Sequence, residues 1–343
     1  MFLHSGKVLT LSLLLILLLN VDILAQENTE GLDSQLKSRL QTENFRLGLL
    51  VQTNFRYSFE DDNFQGGRTF QLANARVDLR GNLDGGFFYR VFVNMSSEPN
   101  LLDAFVGYRY DARLRIIAGA QKPQQTTDFI PPPQSTDFMS RARITGLLVQ
   151  RREIGLSAQG DIENFYYYAG IFNGSGLSAN NNNKLYAIGR LQYTTREVIP
   201  GFIRFAISGS HGNSAGINSG ANGPLLRGTR SIVGADIHAE TDKIKIKAEY
   251  LTGELETVRS PLATETISGY YVSGGYKIDP KWMFVSRFQG WHFDLNDESH
   301  TQITLGAKYQ ATSLISFRFN IDVYSPENGD SQAGAGVMMQ FSF

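Results

Sequence analysis

The feature that most constrains this chain is an alternation of apolar and polar residues. It starts at Phe45 and recurs, almost without a gap, to Phe343. In "FRLGLLVQTNFRYSF", Phe45, Leu47, Leu49, Val51, Phe55, Tyr57 and Phe59 share one parity, while Arg46, Gln52, Asn54 and Arg56 share the other. Successive side chains of a strand point to opposite faces, so a period of two means a strand with one apolar and one polar side. "IKIKAEY" and "LISFRFNIDVY" repeat the scheme. The pattern predicts strands over 45–59, 69–81, 87–96, 101–110, 113–121, 151–160, 164–173, 184–194, 202–211, 230–240, 244–253, 265–276, 281–291, 299–310, 314–324 and 331–343.

Sixteen is an even number, and the lengths sit near the roughly 9–11 residues a tilted strand needs to cross a bilayer. The connections alternate as well. Short turns such as "NLDGG", "DIE", "TDK" and "IDP" follow even strands, whereas "EDDNFQGGR", "GSGLSANNNN" and "GNSAGINSGANGPLLRGT" follow odd ones, with a tight "SEPN" as the exception. Short turns on the periplasmic side and long loops outside are the habit of outer-membrane barrels. No apolar run of helix length follows Leu19. A membrane reading therefore requires a closed barrel, because only helices and closed barrels satisfy every backbone group in lipid. The fold class is all-β: a transmembrane antiparallel β-barrel of about 16 strands, residues 45–343, with lipid of the outer membrane as its first partner.

Aromatic residues reinforce this. Phe45, Tyr110, Tyr193, Phe202, Tyr276, Trp282, Tyr309 and Phe343 fall at the expected periplasmic rim, where amphipathic rings favour the water–lipid boundary. The closing stretch "SQAGAGVMMQFSF" puts Ala333, Ala335, Val337, Met339, Phe341 and Phe343 on the outward parity. A terminal Phe343 after such alternation resembles the signal by which bacterial outer-membrane proteins are read by their assembly machinery. At the other end, Lys7, the apolar run from Val8 to Leu19 and the polar break at Asn20 and Asp22 predict a signal peptide over 1–25, cleaved after Ala25. Residues 26–44 would form a periplasmic N-terminal segment, either a short helix with Leu32, Leu36 and Leu40 on one side or a disordered leader.

Composition enters where chemistry must be excluded. With no cysteine there is neither a disulfide nor a thiolate metal site. With 32 basic and 33 acidic residues, nucleic acid has no global electrostatic footprint to bind. Neither a metal nor a cofactor is indicated: His238 and Glu240 share a strand face, but an i, i+2 pair alone is weak. The charges are, however, unevenly placed. The inward parity carries Arg46, Arg56, Arg76, Arg80, Arg90, Arg109, Arg113, Arg115, Arg190, Arg204, Arg230, Lys245, Lys247, Lys277, Arg287, Lys308 and Arg318. These far outnumber the inward acids Asp78, Asp103, Glu153, Asp236, Glu249 and Asp322. A cationic, water-filled bore between low-dielectric walls concentrates anions, and arginine can hand an oxyanion along without losing its own charge.

One connection departs from the rest. "KPQQTTDFIPPPQSTDFMSRARITGLLVQ", residues 122–150, is far longer than a connector requires. Three consecutive prolines stiffen it, and Phe129 and Phe138 can pack. These features point to a loop after the fifth strand that folds into the bore as a constriction lined by Lys122, Asp128, Asp137, Arg141 and Arg143. An external flap is the alternative.

The stretches "FQLANARVDLRGNLDGGFFYRVFVN", "LLDAFVGYRYDARLRIIAGAQKPQ", "DFMSRARI", "REIGLSAQG", "YYYAGIFNGSG" and "AIGRLQY" resemble, in order and spacing, the phosphate-selective porin family (porins O and P). That resemblance implies a homotrimeric sixteen-strand barrel of the bacterial cell outer membrane, with an arginine ladder guiding anions to a constriction. Matching positions are Arg76, Arg80, Arg90, Arg115 and Lys122, with Arg141 and Arg143 in the loop. Past Gly119 the chain reads "AQKPQQTTD", with one cation where the resemblance implies more, and its outer loops are rich in Asn, Gly and Ser rather than Lys. The resulting expectation is a porin for passive diffusion of small anionic solutes, phosphate-type oxyanions among them, and no enzyme. Three alternatives stay open: a non-selective porin, a plugged binding barrel, and a barrel hydrolase using His211 or His300 with Ser210 or Asp297 at the outer rim. Small outward residues, Gly274 and Ala333 to Ala335, hint at a subunit face.

Overall fold

The computed structural model describes residues 34, 36, 38–42, 44–60, 62–96, 101–149, 151–258 and 264–343. The expected signal peptide at 1–25 lies outside the described residues, as does most of 26–44; Ser34, Leu36 and Ser38 to Leu40 are helical.

Sixteen strands follow: β1 (Arg46–Ser58), β2 (Thr69–Asn82), β3 (Phe87–Asn94), β4 (Leu101–Arg109), β5 (Arg115–Gln121), β6 (Glu153–Ile162), β7 (Phe165–Phe172), β8 (Tyr186–Thr195), β9 (Gly201–Asn218), β10 (Leu225–Thr241), β11 (Ile244–Thr257), β12 (Thr264–Lys277), β13 (Trp282–Phe293), β14 (Glu298–Gln310), β15 (Ile315–Pro326) and β16 (Gln332–Ser342). Each pairs antiparallel with its neighbours in sequence, and β16 pairs with β1 to close the ring. At the seam Val51 faces Phe341 and Phe55 faces Val337. The Phe343 N–H donates to the Leu49 carbonyl at 3.2 Å, and the Leu49 N–H donates back at 3.3 Å, so the chain's last residue is part of the wall.

The outward parity is apolar all round. Leu156, Ile207, Val233 and Leu305 are each more than half exposed. So continuous an apolar belt would be a liability in water and suits hydrocarbon. β2 shows how the alternation survives an interruption. Pairing passes from Gln52 opposite Asn74 to Thr53 opposite Leu72, so Ala73 forms a bulge. Outward positions therefore shift from Phe70 and Leu72 to Ala75, Val77 and Leu79, and Arg76, Asp78 and Arg80 stay inside.

The structure corrects three details. β9 and β10 extend to Asn218 and back from Leu225, so most of the expected long loop is hairpin. Phe202 faces the lumen rather than the rim, since it shares parity with Arg204; its ring meets His238 edge-on at 4.9 Å. Arg113 lies in the turn after β4, where its guanidinium pairs with Asp111 at 2.7 Å, exposed and away from the bore. Gly274 on β12 and Ala333 on β16 are separated by three strands, as two outward patches.

Candidate functional site

The segment between β5 and β6 makes its hydrogen bonds to side chains on the lumen parity. Gln125 Nε2 donates to Ser210 Oγ on β9 at 2.9 Å, and Arg190 on β8 donates to the Gln125 carbonyl at 3.0 Å. The Thr127 N–H donates to Glu249 on β11 at 3.1 Å. Arg318 on β15 donates to the carbonyls of Thr136 and Gln134 at 2.8 and 2.9 Å. On β13, Arg287 donates to the Ser140 carbonyl at 3.0 Å, and Gln289 accepts from the Arg143 N–H at 2.8 Å. A loop rich in proline has few backbone partners of its own, and a lumen wall carrying donors and acceptors satisfies what remains.

An apolar anchor holds its far end. The short helix Arg143–Leu148 buries Ile144, Leu147 and Leu148 against Ile232, Leu251, Leu255 and Ile267, all at or near zero exposure. Burial of each such side chain contributes about 1.5–3 kcal/mol. Close approach of the walls requires glycine. A Cβ on Gly253 would come within 2.8 Å of Leu148 Cδ2. The β9–β10 turn then covers the helix, as the Asn222 N–H donates to the Gly146 carbonyl at 2.9 Å and Ser219 Oγ to the Leu147 carbonyl at 2.6 Å.

The loop leaves two cavities, the smaller against β1–β7 and the larger reaching also β13–β16. One, of about 600 Å³, is lined by Arg46, Arg80, Arg90, Arg109 and Arg115, near the ends of their strands at the periplasmic rim. The other, of about 1310 Å³, opens at the outer end and is lined by Arg56, Arg76, Arg141, Arg143, Arg151 and Arg287. Lys122, Pro133 and Arg152 line both, which places them where the cavities meet. Among the described residues, the larger cavity has no acidic side chain on its surface, and the smaller has Asp103 alone.

Asp103 is almost wholly buried and clamps two of these cations, Arg90 at 2.9 Å and Arg152 at 2.8 Å. Arg90 also pairs with Asp78 at 2.7 Å. Arg76 has no ion-pair partner among the described residues, and its Nε is buried without a hydrogen bond. Its guanidinium lies 5.6 Å from the Phe92 ring centroid. Lys122 Nζ donates to the carbonyls of Ile130 and Pro131 at 3.1 and 3.2 Å and rests 4.5 Å from the Phe129 ring centroid. Arg141 approaches that ring at 5.4 Å and donates to the carbonyls of Asp128 and Pro131. Burial, with Arg141 and Arg152 adding to it, pushes the Lys122 ammonium well below the usual lysine range.

The remaining candidates are placed otherwise. Arg190 forms a buried bidentate pair with Asp236 at 2.6 and 3.0 Å, Arg318 is 1% exposed, and both face the loop rather than either cavity. Arg204 lines neither cavity; its guanidinium lies 5.0 Å from the Phe202 ring centroid. Asp128 accepts from the Ala142 N–H at 2.9 Å, inside the loop, and Asp137 pairs with Lys245 at 2.7 Å. Arg151, on the inward parity of Glu153 in the expected strand 151–160, was passed over, and that strand put Arg152 on the outward parity, whereas pairing begins only at Glu153 and Arg152 turns to Asp103. The inward leucines Leu251 and Leu255 were a legible signal of the docking site, since an aqueous bore has no use for them.

The histidines are committed to local contacts. His211 Nδ1 lies 2.8 Å from Ser231 Oγ, while Ser210 is bonded to Gln125 and Tyr186. His300 Nδ1 lies 2.9 Å from the Tyr324 hydroxyl. His292 touches Ser299 at 3.1 Å, but the nearest carboxylate, Asp297, is 3.9 Å away and almost fully exposed.

A closed sixteen-strand barrel with a lipid-facing belt and an ion-lined bore defines an outer-membrane porin, a channel. The family model for phosphate-selective porin O and P matches residues 45–343, and the chain belongs to that family. Among curated proteins no sequence matches it. Solved structures share its fold at low identity. The anion-selective porin from Comamonas acidovorans is 13% identical with a TM-score of 0.66, over 87% of this chain and 99% of that one. The outer membrane channel DcaP of Acinetobacter baumannii is 12% identical with a TM-score of 0.63, over 87% and 97%. The trimer form of OmpT from Vibrio cholerae is 13% identical with a TM-score of 0.63, over 87% and 99%.

Proposed function

We propose that this porin passes small anions, phosphate-type oxyanions among them, through the two cavities that the loop leaves in the bore. The observation that carries this reading is the outer cavity, with many cations and no carboxylate on its described surface. An anion entering there loses little solvation before a guanidinium replaces it, whereas a cation meets only repulsion. Arg56, Arg143 and Arg141 would receive the anion, Arg76, Lys122 and Arg152 would hold it at the narrowest point, and Arg90, Arg80, Arg115 and Arg109 would release it to the periplasm. The loop is the constriction, and Arg152 supplies the second cation beside Lys122. Arg190, Arg287 and Arg318 act on this view as brackets for the loop.

The family's name and the anion-selective porin among the structures of like fold support the same direction. We further infer export by cleavage after Ala25, assembly directed by the outward Phe343, and a homotrimer, which is the form of one structure that shares the fold. Planar-bilayer recording in chloride with added phosphate tests the substrate class. Phosphate should lower the chloride current at millimolar concentration and carry current when alone. If phosphate neither blocks nor conducts, the oxyanion part of the proposal fails.

A further inference from the structure

Next to the apolar cluster around the loop helix, to which Trp291 belongs at 6% exposure and against which Tyr324 packs, a run of flat rings reaches the outer cavity. Phe64 and Tyr324 lie with centroids 6.1 Å apart and planes 10° from parallel, and Tyr324 and Trp291 lie 5.8 Å apart at 9°. His300 continues the run, 5.4 Å from Trp291 at 24°, and its Nδ1 fixes the Tyr324 hydroxyl at 2.9 Å. All four rings line the outer cavity of about 1310 Å³. Arg143 lines it too. Its side chain is exposed and has no ion pair or hydrogen bond among the described residues.

We propose that the outer vestibule holds a binding subsite for flat aromatic carboxylates, the ring stacking on the half-buried Phe64 and Tyr324 next to Trp291 and the carboxylate taken by Arg143. Stacked rings favour a planar π-face over a puckered one of equal size, and a free guanidinium accepts a carboxylate through two parallel N–H bonds. Neither half suffices alone. Arg143 by itself would take any anion, and the rings by themselves would take any apolar plane. Together they select an anion with a ring attached, distinct from the bare oxyanions that the throat is proposed to pass.

The subsite sits in the path proposed above, but its test reads binding without current, so either reading can fail alone. The chain has two tryptophans, Trp282 at the periplasmic rim and Trp291 in the run. In a Trp282→Phe background, detergent-purified protein is titrated with benzoate and with cyclohexanecarboxylate while Trp291 fluorescence is followed. Benzoate should give a saturable change with about three- to tenfold tighter binding than cyclohexanecarboxylate. Tyr324→Leu, checked for folding by heat-dependent electrophoretic mobility, should erase that preference. Arg143→Gln should weaken both ligands and leave their ratio unchanged. Equal binding of the two acids, no saturation with benzoate, or preference surviving Tyr324→Leu would overturn the subsite. Tighter binding of glucose 6-phosphate than of benzoate would overturn it as well, because the site would then read charge and hydroxyls rather than a planar ring.

Discussion

Asp137 in the loop and Lys245 on β11 meet at 2.7 Å, with Lys247 also within 3.8 Å of the same carboxylate oxygen. Burial would push this carboxyl up, but the two lysines outweigh it and hold Asp137 below the usual carboxylate range. A carboxyl whose folded value is depressed contributes stability above its unfolded value, near 3.9, and loses it as pH falls through the lower folded value. The loop should therefore stay seated at pH 4 and loosen only in stronger acid. Asp137→Asn should show at neutral pH the noisy, larger single-channel currents that the native protein shows only in that acid. The lost interaction is of order 1.5–3 kcal/mol. Quiet currents from the variant at pH 7 would remove the tether from the account.

Gly253 lets the loop helix approach β11. Gly253→Val places methyl groups where Leu148 now packs and should cost about 1–3 kcal/mol through overpacking. Because the damage falls on the helix anchor, conductance fluctuations should rise while barrel content by circular dichroism stays unchanged. A variant with native currents would mean that the helix does not hold the loop.

Lys122 gives the throat a second pH response. Part of its surface faces the water of both cavities, yet burial and the neighbouring Arg141 and Arg152 lower its proton affinity. As pH rises into a range well below the ordinary lysine value near 10.4, the ammonium deprotonates and one positive charge leaves the narrowest point. Anion preference should fall over that range in the native channel. It should stay flat in Lys122→Gln, because arginines do not titrate there. Parallel curves for the two would place the titrating group elsewhere.

Arg190 and Asp236 illustrate a charged pair that serves stability. Both are buried, and neither lines a cavity. Asp236→Ala would strand a guanidinium in a dry site at a cost of about 3–5 kcal/mol. A lowered denaturant midpoint with ion selectivity unchanged is the expected result. The double replacement Arg190→Met with Asp236→Leu should recover most of the midpoint. Loss of selectivity in the recovered double variant would show that Arg190 serves permeation after all.

The strand ladder was legible because lipid enforces it: within the belt every second residue must be apolar, and a bulge as at Ala73 shifts the pattern without erasing it. Beyond the belt the rule lapses. On β9 the outward face passes from Ile207 to His211 and Asn213, so the hairpin's outer half read as loop. Inward charge was equally legible, but its division was not. Parity puts Arg76 and Arg190 on the same face, and only the path of the loop decides that one meets water and the other a carboxylate. Arg152 escaped notice for a related reason, since it gains its place from Asp103, far away in sequence. The aromatic run likewise joins Phe64, Trp291 and Tyr324 from three separate segments, which no periodicity can connect.

The account rests on an excess of positive charge at the throat. Reversal potential in a planar bilayer under a tenfold potassium chloride gradient, compared between the native channel and Lys122→Glu with Arg152→Glu, tests it most directly. The native protein should reverse toward the chloride equilibrium potential, and the double variant should shift at least halfway toward that of potassium. A native reversal on the potassium side, or a double variant indistinguishable from native, would contradict it.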